Sequence, residues 1–354
     1  MNLYKIKFEI IILIIIIFFV FKYYNNNHKI KIGVIGLRHS QNVGNNLLKY
    51  AMFIKLSELG YSPFIVGKKV NNSNISFIEN SVNLMLIKNF SEIKENDFDI
   101  LMVNSDQTWT RYNDNFYDVA FLKFAENWNK IKFTYGTSFG VNFWTYNKQE
   151  EKIAKHLLKS FTGLSVREKS DVELIKKHLG LKAQFVLDPT FLIDKKYYLN
   201  LIKNFESEII NQINKNNFIF SYFLIKSIQV KNYLSYVEKT LKTKIFMLTI
   251  DKNNPVKEFL YGIINCKAVI TDSFHGTVFS ILFKKPFISF EKNLFDSRFN
   301  SLEEIFDIKN RIYIIGSIPP ISLLNQPLII NETKLLLLKK QSMNYLKKNL
   351  NYKI

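Results

Sequence analysis

The 354-residue sequence predicts an α/β protein made of two facing Rossmann-like domains, preceded by an N-terminal hydrophobic helix. Three observations predict this fold. An apolar run comes before any strand pattern. Short apolar strands then alternate with helical segments, which is the rhythm of a parallel α/β sheet. The rhythm breaks near residues 191–216 and starts again. We therefore assign residues 1–28 to an anchor and tether, 29–195 to the first domain, and 196–354 to the second domain with its terminal helix.

The N-terminal run extends from Ile10 to Phe21 without a polar residue. A spanning helix needs about 20 apolar residues. The stretch from Tyr4 to Tyr24 supplies 21 positions, if its lysines reach the interface. We predict a single uncleaved membrane anchor. The alternatives are a buried helix and a cleaved signal peptide, although no small-residue cleavage site follows the run.

The first domain is predicted to begin with a strand at Lys29 to Gly36, a polar loop, and a helix at Asn46 to Leu59 that ends before Gly60. A second helix is expected at Lys148 to Phe161. The remaining predicted strands are Ser62 to Val66, Asp99 to Asn104, Lys132 to Gly136, Leu164 to Arg167 and Gln184 to Leu187.

The second domain repeats the pattern and ends with a Lys-rich amphipathic helix at Leu335 to Leu350. Its predicted strands are Asn217 to Leu224, Ile245 to Thr249, Ala268 to Thr271 and Phe287 to Phe290. Its predicted helices are Ile228 to Leu241, Val256 to Ile264 and Val278 to Phe283.

Composition excludes several classes of protein. With 47% apolar and 22% charged residues, the chain can bury a large core and is not a disordered segment. Its one cysteine, Cys266, excludes an internal disulfide framework, and five histidines without an H-E-x-x-H pair argue against a zinc hydrolase. The net charge of +19 has two explanations: AT-rich codons that favour lysine, or anionic partners. No RNA- or DNA-binding signature is present, so we expect no nucleic-acid partner.

Polar clusters follow the predicted strands of the first domain, and parallel sheets bind ligands at the carboxyl ends of their strands. Asn42, Gly44 and Asn45 precede a helix whose N-terminus could bind an anion. The alternative is an ordinary loop in which Asn45 caps the helix. The second cluster is a run of hydrogen-bonding side chains longer than a turn requires, and it comprises Asn104, Ser105, Asp106, Gln107, Thr108 and Trp109.

Two further clusters come later in that domain. Ser138 lies in a loop of small residues, where a ligand could approach the backbone or where the chain simply turns. Arg167 ends a short apolar strand, where a guanidinium suits a carboxylate or phosphate. The alternative for Arg167 is a salt bridge to Glu168 or Asp171.

The sharpest cluster follows a buried strand of the second domain. It reads Asp272-Ser273-Phe274-His275-Gly276 and places His275 in the first turn of a helix. A histidine can move protons near neutral pH, and Asp272 or Ser273 could orient the imidazole or cap the helix. The alternative is a structural histidine.

Taken together, these motifs resemble the polysaccharide pyruvyl transferase family. The resemblance covers residues 31–295 and rests on the order and spacing of six motifs. These are Asn42-x-Gly44-Asn45, Asn104-Ser105-Asp106-Gln107-x-Trp109, Tyr135-x-Thr137-Ser138-Phe139-Gly140, Ser165-Val166-Arg167-Glu168, Asp188-Pro189-Thr190 and Thr271-Asp272-Ser273-Phe274-His275-Gly276.

The resemblance implies a fold like that of GT-B glycosyltransferases and transfer of a pyruvyl group from phosphoenolpyruvate to a sugar, which forms a cyclic ketal. It implies no metal or other cofactor, with phosphoenolpyruvate as the donor substrate. The chain departs from the family at Ser273, where many members have an arginine two positions before the histidine. If that arginine holds the donor phosphate, Arg167 or a lysine takes its place here.

The implied roles can be placed on individual residues. His275 would be the acid–base group, Arg167 and the helix start at Ser273 to Gly276 would hold anionic groups, and Asp272 would assist His275. Asn42, Gly44, Asn45, Asn104 and Ser138 would line the substrate site. Asp106, Gln107 and Trp109 would bind the acceptor sugar or lipid-linked glycan, Trp109 by stacking. Because phosphoenolpyruvate is a cytosolic metabolite, the catalytic body would face the cytoplasm.

Two other functions fit the same pattern. One is a membrane-associated glycosyltransferase that uses a nucleotide sugar, whose diphosphate would bind at the same helix starts. The other is a non-catalytic protein that binds an anionic glycan or lipid head group.

Overall fold

A computed structural model describes residues 29–36, 42–68, 80–104, 106–111, 116–205, 217–248, 255–292 and 295–352. The predicted anchor at residues 1–28 lies outside the described residues. Within those ranges, no helix combines the length and the apolar character that crossing a membrane requires.

The first sheet has five parallel strands in the order β3-β2-β1-β4-β5. Its strands are β1 (Lys31–Ile35), β2 (Ser62–Lys68), β3 (Leu84–Ile87), β4 (Ile100–Val103) and β5 (Ile131–Thr134). The strands β6 (Ser165–Val166) and β7 (Gln184–Phe185) pair with each other, and single bridges join β6 to the segment that contains β5. Strand β3 was not predicted from the sequence.

The second sheet is also parallel, in the order β12-β11-β10-β8-β9. Its strands are β8 (Phe218–Tyr222), β9 (Lys244–Leu248), β10 (Ala268–Thr271), β11 (Phe287–Glu291) and β12 (Ile312–Ile314). The predicted α/β class with two Rossmann-like sheets is confirmed. In each sheet the chain reverses its direction of winding beside the first strand, between β1 and β4 and between β8 and β10.

Ten helices can be assigned within the described residues. They are α1 (Val43–Glu58), α2 (Phe116–Phe121), α3 (Lys148–Leu158), α4 (Lys169–Leu174), α5 (Lys195–Leu201), α6 (Ile228–Leu241), α7 (Pro255–Asn265), α8 (Phe274–Leu282), α9 (Ser297–Phe306) and α10 (Glu332–Leu350). Helix α1 begins three residues before the predicted start, because the Asn42 side chain accepts a hydrogen bond from the Asn45 N–H and caps it.

Helix α1 connects the two halves. Every residue from Val43 to Met52 is buried, and the helix packs against both α7 and α8 of the second half. The largest cluster of buried apolar side chains is shared by both halves and includes Phe133 of β5 and Phe220 of β8. The loops at the carboxyl ends of the two sheets therefore meet across α1.

The C-terminal helix α10 also joins the two halves, whereas the sequence assigned it to the second alone. It starts beside α9, where the Lys334 ammonium donates to the Glu304 carbonyl. It ends against the first sheet, where the Tyr345 hydroxyl donates to the Thr134 carbonyl over 2.8 Å. Its amphipathic pattern predicted a buried face but carried no information about which surface covers that face.

Candidate active site

His275 lies in the first turn of α8, as predicted. The Ser273 hydroxyl caps this helix by accepting a hydrogen bond from the Gly276 N–H, and the Ser273 N–H donates to Thr271 Oγ1 over 3.0 Å. Gly276 leaves room for the same threonine, since a Cβ at position 276 would lie 2.9 Å from Thr271 Cγ2 and closer to Oγ1. Ser273 and Gly276 thus fix the turn that presents His275.

The His275 imidazole is held between the two halves of the molecule. Gly44 of α1 faces it so closely that a Cβ at position 44 would lie 2.7 Å from His275 Cβ and nearer still to Cγ and Nδ1. On the opposite side, His275 Nε2 lies 3.7 Å from Asp188 Oδ2. Nε2 is buried and has no hydrogen-bond partner among the described residues. The predicted role of Gly44 in anion binding is replaced by a steric one, because the imidazole covers this helix start.

Arg167 forms ion pairs with three carboxylates. Its Nη1 donates to Asp188 over 2.8 Å, Nη2 to Asp106 over 3.0 Å, and Nε to Glu168 over 3.1 Å. The Arg167 side chain is only 1% exposed. The prediction that Arg167 holds an anionic substrate group is therefore wrong for this arrangement, since its guanidinium is an internal counter-ion. The salt bridge to Glu168, the alternative drawn from the sequence, is present.

The carboxylates around Arg167 differ in charge. Burial opposes ionisation of Asp106, but Arg167 and then His275 lower its pKa to about 2. Burial likewise opposes ionisation of Asp188, yet His275 and Arg167 hold its pKa well below the usual range. Burial raises the pKa of Glu168 and, more strongly, that of its neighbour Asp171. Arg167 and His275 thus favour ionised Asp106 and Asp188, whereas burial opposes ionisation of Glu168 and Asp171.

Phe274 lies beneath two guanidinium groups. Arg167 Cζ is 4.5 Å from the Phe274 ring centroid, and Arg298 Cζ is 5.6 Å from it. Arg298 of α9 pairs with Asp296 through Nε and Nη2, and its side chain is 22% exposed. Arg298 is therefore the arginine at this site that reaches solvent.

Asp106 links the first sheet to this network. Its backbone φ is +85°, a conformation that a non-glycine residue seldom adopts and that tends to occur at functional sites. Its carboxylate accepts from Asn45 Nδ2 over 3.0 Å and from Arg167. The structure brings Asn42, Asp106, Arg167 and His275 together, because an unbroken series of contacts joins the Asn42 cap to the histidine.

Three other predicted substrate residues belong to the packed interior or its edge. Trp109 is fully buried among aromatic side chains, and its indole N–H donates to the Ala120 carbonyl over 3.0 Å. The prediction that Trp109 stacks on a sugar is therefore wrong. Ser138 is also fully buried, and its hydroxyl accepts from the Gly140 N–H. Gln107 is half-buried and lies over the Gly140 backbone, where a Cβ would be 2.9 Å from Gln107 Cδ.

Asp272 does not orient His275. Its two carboxylate oxygens accept from the Leu224 and Ile225 N–H groups over 2.6 and 2.8 Å. Burial raises its pKa in spite of these two hydrogen bonds. Asp272 therefore fixes the loop after β8, and the carboxylate that faces the imidazole is Asp188.

The loop that Asp272 fixes forms one wall of a pocket of about 490 Å³ at the carboxyl ends of β8 and β9. The lining is mainly aliphatic and aromatic, with the polar groups of Lys226, Ser227 and Lys231. Within the described ranges, no group of three or more histidine, cysteine, aspartate or glutamate side chains is arranged to hold a metal ion.

Sequence reasoning missed Asp188 and Arg298 beside His275 and Arg167, and it missed the burial of Lys49 in α1. Asp188 stood in a recognised motif, Asp188-Pro189-Thr190, at the end of a strand, so a signal was available. Arg298 comes from α9, which was not predicted. Lys49 lies in an apolar helical pattern, and its burial, at 2% exposure, has no signature in the sequence.

Solved structures show the same fold at low sequence identity. The S. aureus MnaA–UDP co-structure matches with a TM-score of 0.55 at 13% identity, over 92% of this chain and 97% of that chain. A UDP-GlcNAc 2-epimerase from Neisseria meningitidis bound to UDP-GlcNAc matches with 0.55 at 11% identity, over 90% and 99%. A UDP-N-acetylglucosamine 2-epimerase from Rickettsia bellii matches with 0.54 at 11%, over 91% and 97%. These likenesses show a GT-B-like fold.

Sequence comparison assigns the family. No curated protein matches the chain. The family profile described as polysaccharide pyruvyl transferase matches residues 42–292, which is more than half of the chain. This range begins at the Asn42 cap of α1 and ends just after β11, so it contains His275 and every residue described above around Arg167 except Arg298 and Asp296. The chain belongs to the polysaccharide pyruvyl transferase family.

Proposed function

We propose that this protein is a transferase that moves a pyruvyl group from phosphoenolpyruvate to a sugar of a cell-surface polysaccharide, or of its lipid-linked precursor, and forms a ketal. Membership of the family supports the reaction class. The observation that carries the proposal is the environment of His275, whose buried Nε2 lacks a hydrogen-bond partner among the described residues and faces an ionised aspartate at 3.7 Å.

That environment suits a proton donor and acceptor. The Asp188 carboxylate lies beside the imidazole, and a buried nitrogen without a fixed partner can exchange a proton with a bound molecule. Gly44 and Asp188 lie on opposite sides of the His275 ring, so the orientation of the ring is fixed before substrate binds. Such preorganisation lowers the cost of reaching the reactive geometry.

The proton transfers of pyruvyl transfer can be completed by one residue that both donates and accepts a proton. Protonation of C3 of phosphoenolpyruvate makes C2 electrophilic, and one sugar hydroxyl adds to C2. Phosphate then leaves as the C2–O bond breaks, and a second hydroxyl closes the ketal. Of the two hydroxyl protons, one replaces the proton given to C3 and the other leaves with phosphate as hydrogen phosphate. A residue that first donates and then accepts a proton therefore completes the cycle.

The anionic groups of the donor need cations, and Arg167 is fully engaged. Arg298 takes the role that the sequence gave to Arg167 or a lysine, because its side chain is partly exposed and its guanidinium lies beside the same Phe274 ring. The N-terminus of α8, where His275 lies, adds a partial positive charge. Arg167 acts indirectly by fixing Asp106 and Asp188.

A second candidate function is glycosyl transfer from a nucleotide sugar, and the pocket beside Asp272 favours it. A volume of about 490 Å³ lies in the range of sites for drug-sized ligands. Phosphoenolpyruvate is a much smaller molecule, whereas a nucleoside could occupy the aliphatic walls and its phosphates could meet Lys226 and Lys231.

We also propose that residues 1–28 anchor the enzyme in the membrane, with the remainder on the cytoplasmic side. The apolar run from Ile10 to Phe21 supports an anchor, and a cytosolic donor supports the orientation. Carbonate extraction of the full chain tests the anchor, and we expect the protein to stay in the membrane fraction. Protease added to intact cells tests the orientation, and we expect the protein to be protected from cleavage.

Donor identity tests the main proposal directly. Purified protein is incubated with phosphoenolpyruvate or with UDP-sugars and a panel of methyl glycosides, and phosphate release and glycoside mass are followed. We expect phosphate release and a gain of one pyruvyl ketal with phosphoenolpyruvate only. Transfer of a sugar from a UDP-sugar would instead establish the second candidate.

The role of His275 is tested by His275→Ala, with His178→Ala as a matched control. His178 stacks on Trp144 at 4.5 Å and pairs with Glu151, away from the Arg167 network. Loss of an acid–base catalyst lowers turnover about 10²–10⁴-fold. We expect that loss for His275→Ala and nearly wild-type turnover for His178→Ala, with melting temperatures measured on the same preparations. Normal turnover by folded His275→Ala protein would refute the mechanism.

A further inference from the structure

A second group of buried polar residues lies at the carboxyl edge of the first sheet, between β1 and β4. This is the point where the winding of the sheet reverses, and such crevices bind ligands in open parallel sheets. Gly36 follows β1 there, and Asn104 follows β4. A Cβ at position 36 would lie 3.8 Å from Asn104 Cβ and 3.9 Å from Lys49 Cε. Lys49 and Asn104 therefore approach the same point from a helix and a strand.

Two amide oxygens in this group have unused hydrogen-bonding capacity. Asn104 is 1% exposed and Asn45 is 4% exposed, and the Oδ1 atom of each is buried without a hydrogen-bond partner among the described residues. An unsatisfied buried acceptor is costly, about 1–3 kcal/mol in general, and in native proteins it calls for an explanation. A bound molecule that donates hydrogen bonds would satisfy both oxygens.

Lys49 lies one turn after Asn45, so their side chains share one face of α1. Asn45 also donates to Asp106, which pairs with Arg167. One turn of α1 therefore presents Gly44 to His275 and the next turn presents Lys49 to the edge of the first sheet.

We propose that Asn45, Lys49 and Asn104 form the subsite for the hydroxyl pair of the sugar acceptor, and that Lys49 removes the proton of the hydroxyl that attacks the donor. This inference rests on the proposed pyruvyl transfer. Sugar hydroxyls would donate to the two amide oxygens, which positions the diol. As the bond from the hydroxyl oxygen to C2 forms, its O–H bond breaks and the proton moves to Lys49 Nζ, from where it leaves with the phosphate.

The charge state of Lys49 agrees with this role. Burial lowers the pKa of Lys49 to about 7, against the attraction of Asp106. The lowered pKa favours the neutral amine, which can accept a proton. His275 remains the donor to C3, so the two proton transfers are assigned to two different residues.

The experiment compares Lys49→Met and Asn104→Ala with Lys132→Met as the matched control. Lys132 is also buried, but its ammonium donates to the Ala125 and Glu126 carbonyls, which belong to neither the Arg167 network nor the group around Asn104. Turnover is measured with phosphoenolpyruvate and the glycoside panel from pH 5.5 to 9, and binding of each methyl glycoside is measured without a donor.

We expect Lys49→Met to lower kcat about 10²–10⁴-fold with little change in KM for phosphoenolpyruvate, and to abolish the rise of activity through pH 7. Asn104→Ala should raise the KM for the glycoside about 5- to 10-fold. Lys132→Met should keep wild-type kcat per folded molecule. A Lys49→Met enzyme with wild-type kcat and an unchanged pH profile would overturn the inference.

The binding measurement separates this inference from the proposed function. If phosphoenolpyruvate is not a donor, the proposed function fails. The subsite is then supported if glycoside binding is weaker in Lys49→Met and Asn104→Ala but not in Lys132→Met. Equal affinity in all variants, or no glycoside binding by the wild-type protein, would overturn the subsite.

Discussion

Gly44→Ala tests whether α1 and His275 are in contact in solution. Helix propensity alone predicts that alanine stabilises a helix by up to about 1 kcal/mol relative to glycine. The contact between Gly44 and His275 predicts instead that alanine destabilises the protein. The added methyl would lie 2.7 Å from His275 Cβ and closer to two ring atoms, which is nearer than side chains pack.

The expected cost follows from this overlap. Forcing an extra carbon into a packed interface typically costs about 1–3 kcal/mol. This outweighs the gain in propensity, so we expect Gly44→Ala to lower the free energy of unfolding by about 1–2 kcal/mol. The methyl would also push the imidazole from its place beside Asp188. A displacement of about 1 Å can reduce turnover about 100-fold.

Two further variants isolate the effect. Gly262→Ala in α7 makes a similar overlap, 3.1 Å from Phe220 Cγ and closer to two other ring atoms, but in the core. It should cost similar stability and leave kcat per folded molecule unchanged. In the double variant Gly44→Ala/His275→Ala, the imidazole that overlaps the new methyl is removed. The two losses of stability should therefore be less than additive.

Urea unfolding gives the stability of each variant, and turnover is measured on the same samples. If Gly44→Ala stabilises the protein and keeps wild-type turnover, α1 does not hold His275, and the arrangement on which the proposed mechanism depends is wrong.

Three other outcomes are expected. Asp188→Asn leaves the buried Arg167 with one counter-ion fewer and should lower the free energy of unfolding at pH 7 by about 3–5 kcal/mol, measured by urea unfolding. The difference between variant and wild type should shrink below about pH 4, because a carboxylate with a lowered pKa loses its stabilising contribution as the pH falls through that pKa. Lys49→Met should stabilise the protein at pH 7, because folding of the wild type favours the neutral amine. The wild-type free energy of unfolding should rise by up to about 5 kcal/mol between pH 7 and 10, and the variant should lack this rise. Identical pH–stability curves for the two proteins would contradict the burial of the Lys49 amine. Trp109→Phe should cost about 1–3 kcal/mol and leave the KM for the acceptor unchanged; a raised KM would restore the stacking role.

Much of the fold could be predicted from the sequence, because strands buried on both faces read as short apolar runs. The strand Ala268–Thr271 and the helix Ile228–Leu241 match the prediction to the residue. The strand Leu84–Ile87 was missed since it is short and only its last residue is buried. The helix Ser297–Phe306 was missed because polar and charged side chains interrupt its apolar pattern.

The location of the candidate site was predictable for a different reason. Polar residues that follow buried strands gather at one edge of a parallel sheet, so chain position alone brought Asp106, Arg167 and His275 together. Which carboxylate faces the His275 imidazole could not be predicted from the sequence. Both Asp188 and Asp272 stand at strand ends, and Asp272 is three residues from His275 in sequence, yet the imidazole faces Asp188.

The site and the junction between the two halves are the same structure. Arg167 pairs with Asp106 from the first sheet, while its carbonyl accepts a hydrogen bond from Ser301 of α9 in the second half. Any substitution in this network can therefore alter both the junction and the chemistry. Loss of activity alone cannot identify a catalytic residue here, because an opened junction would also displace His275. The comparisons that assign roles are those in which a matched variant, such as Gly262→Ala or Lys132→Met, loses stability without losing turnover.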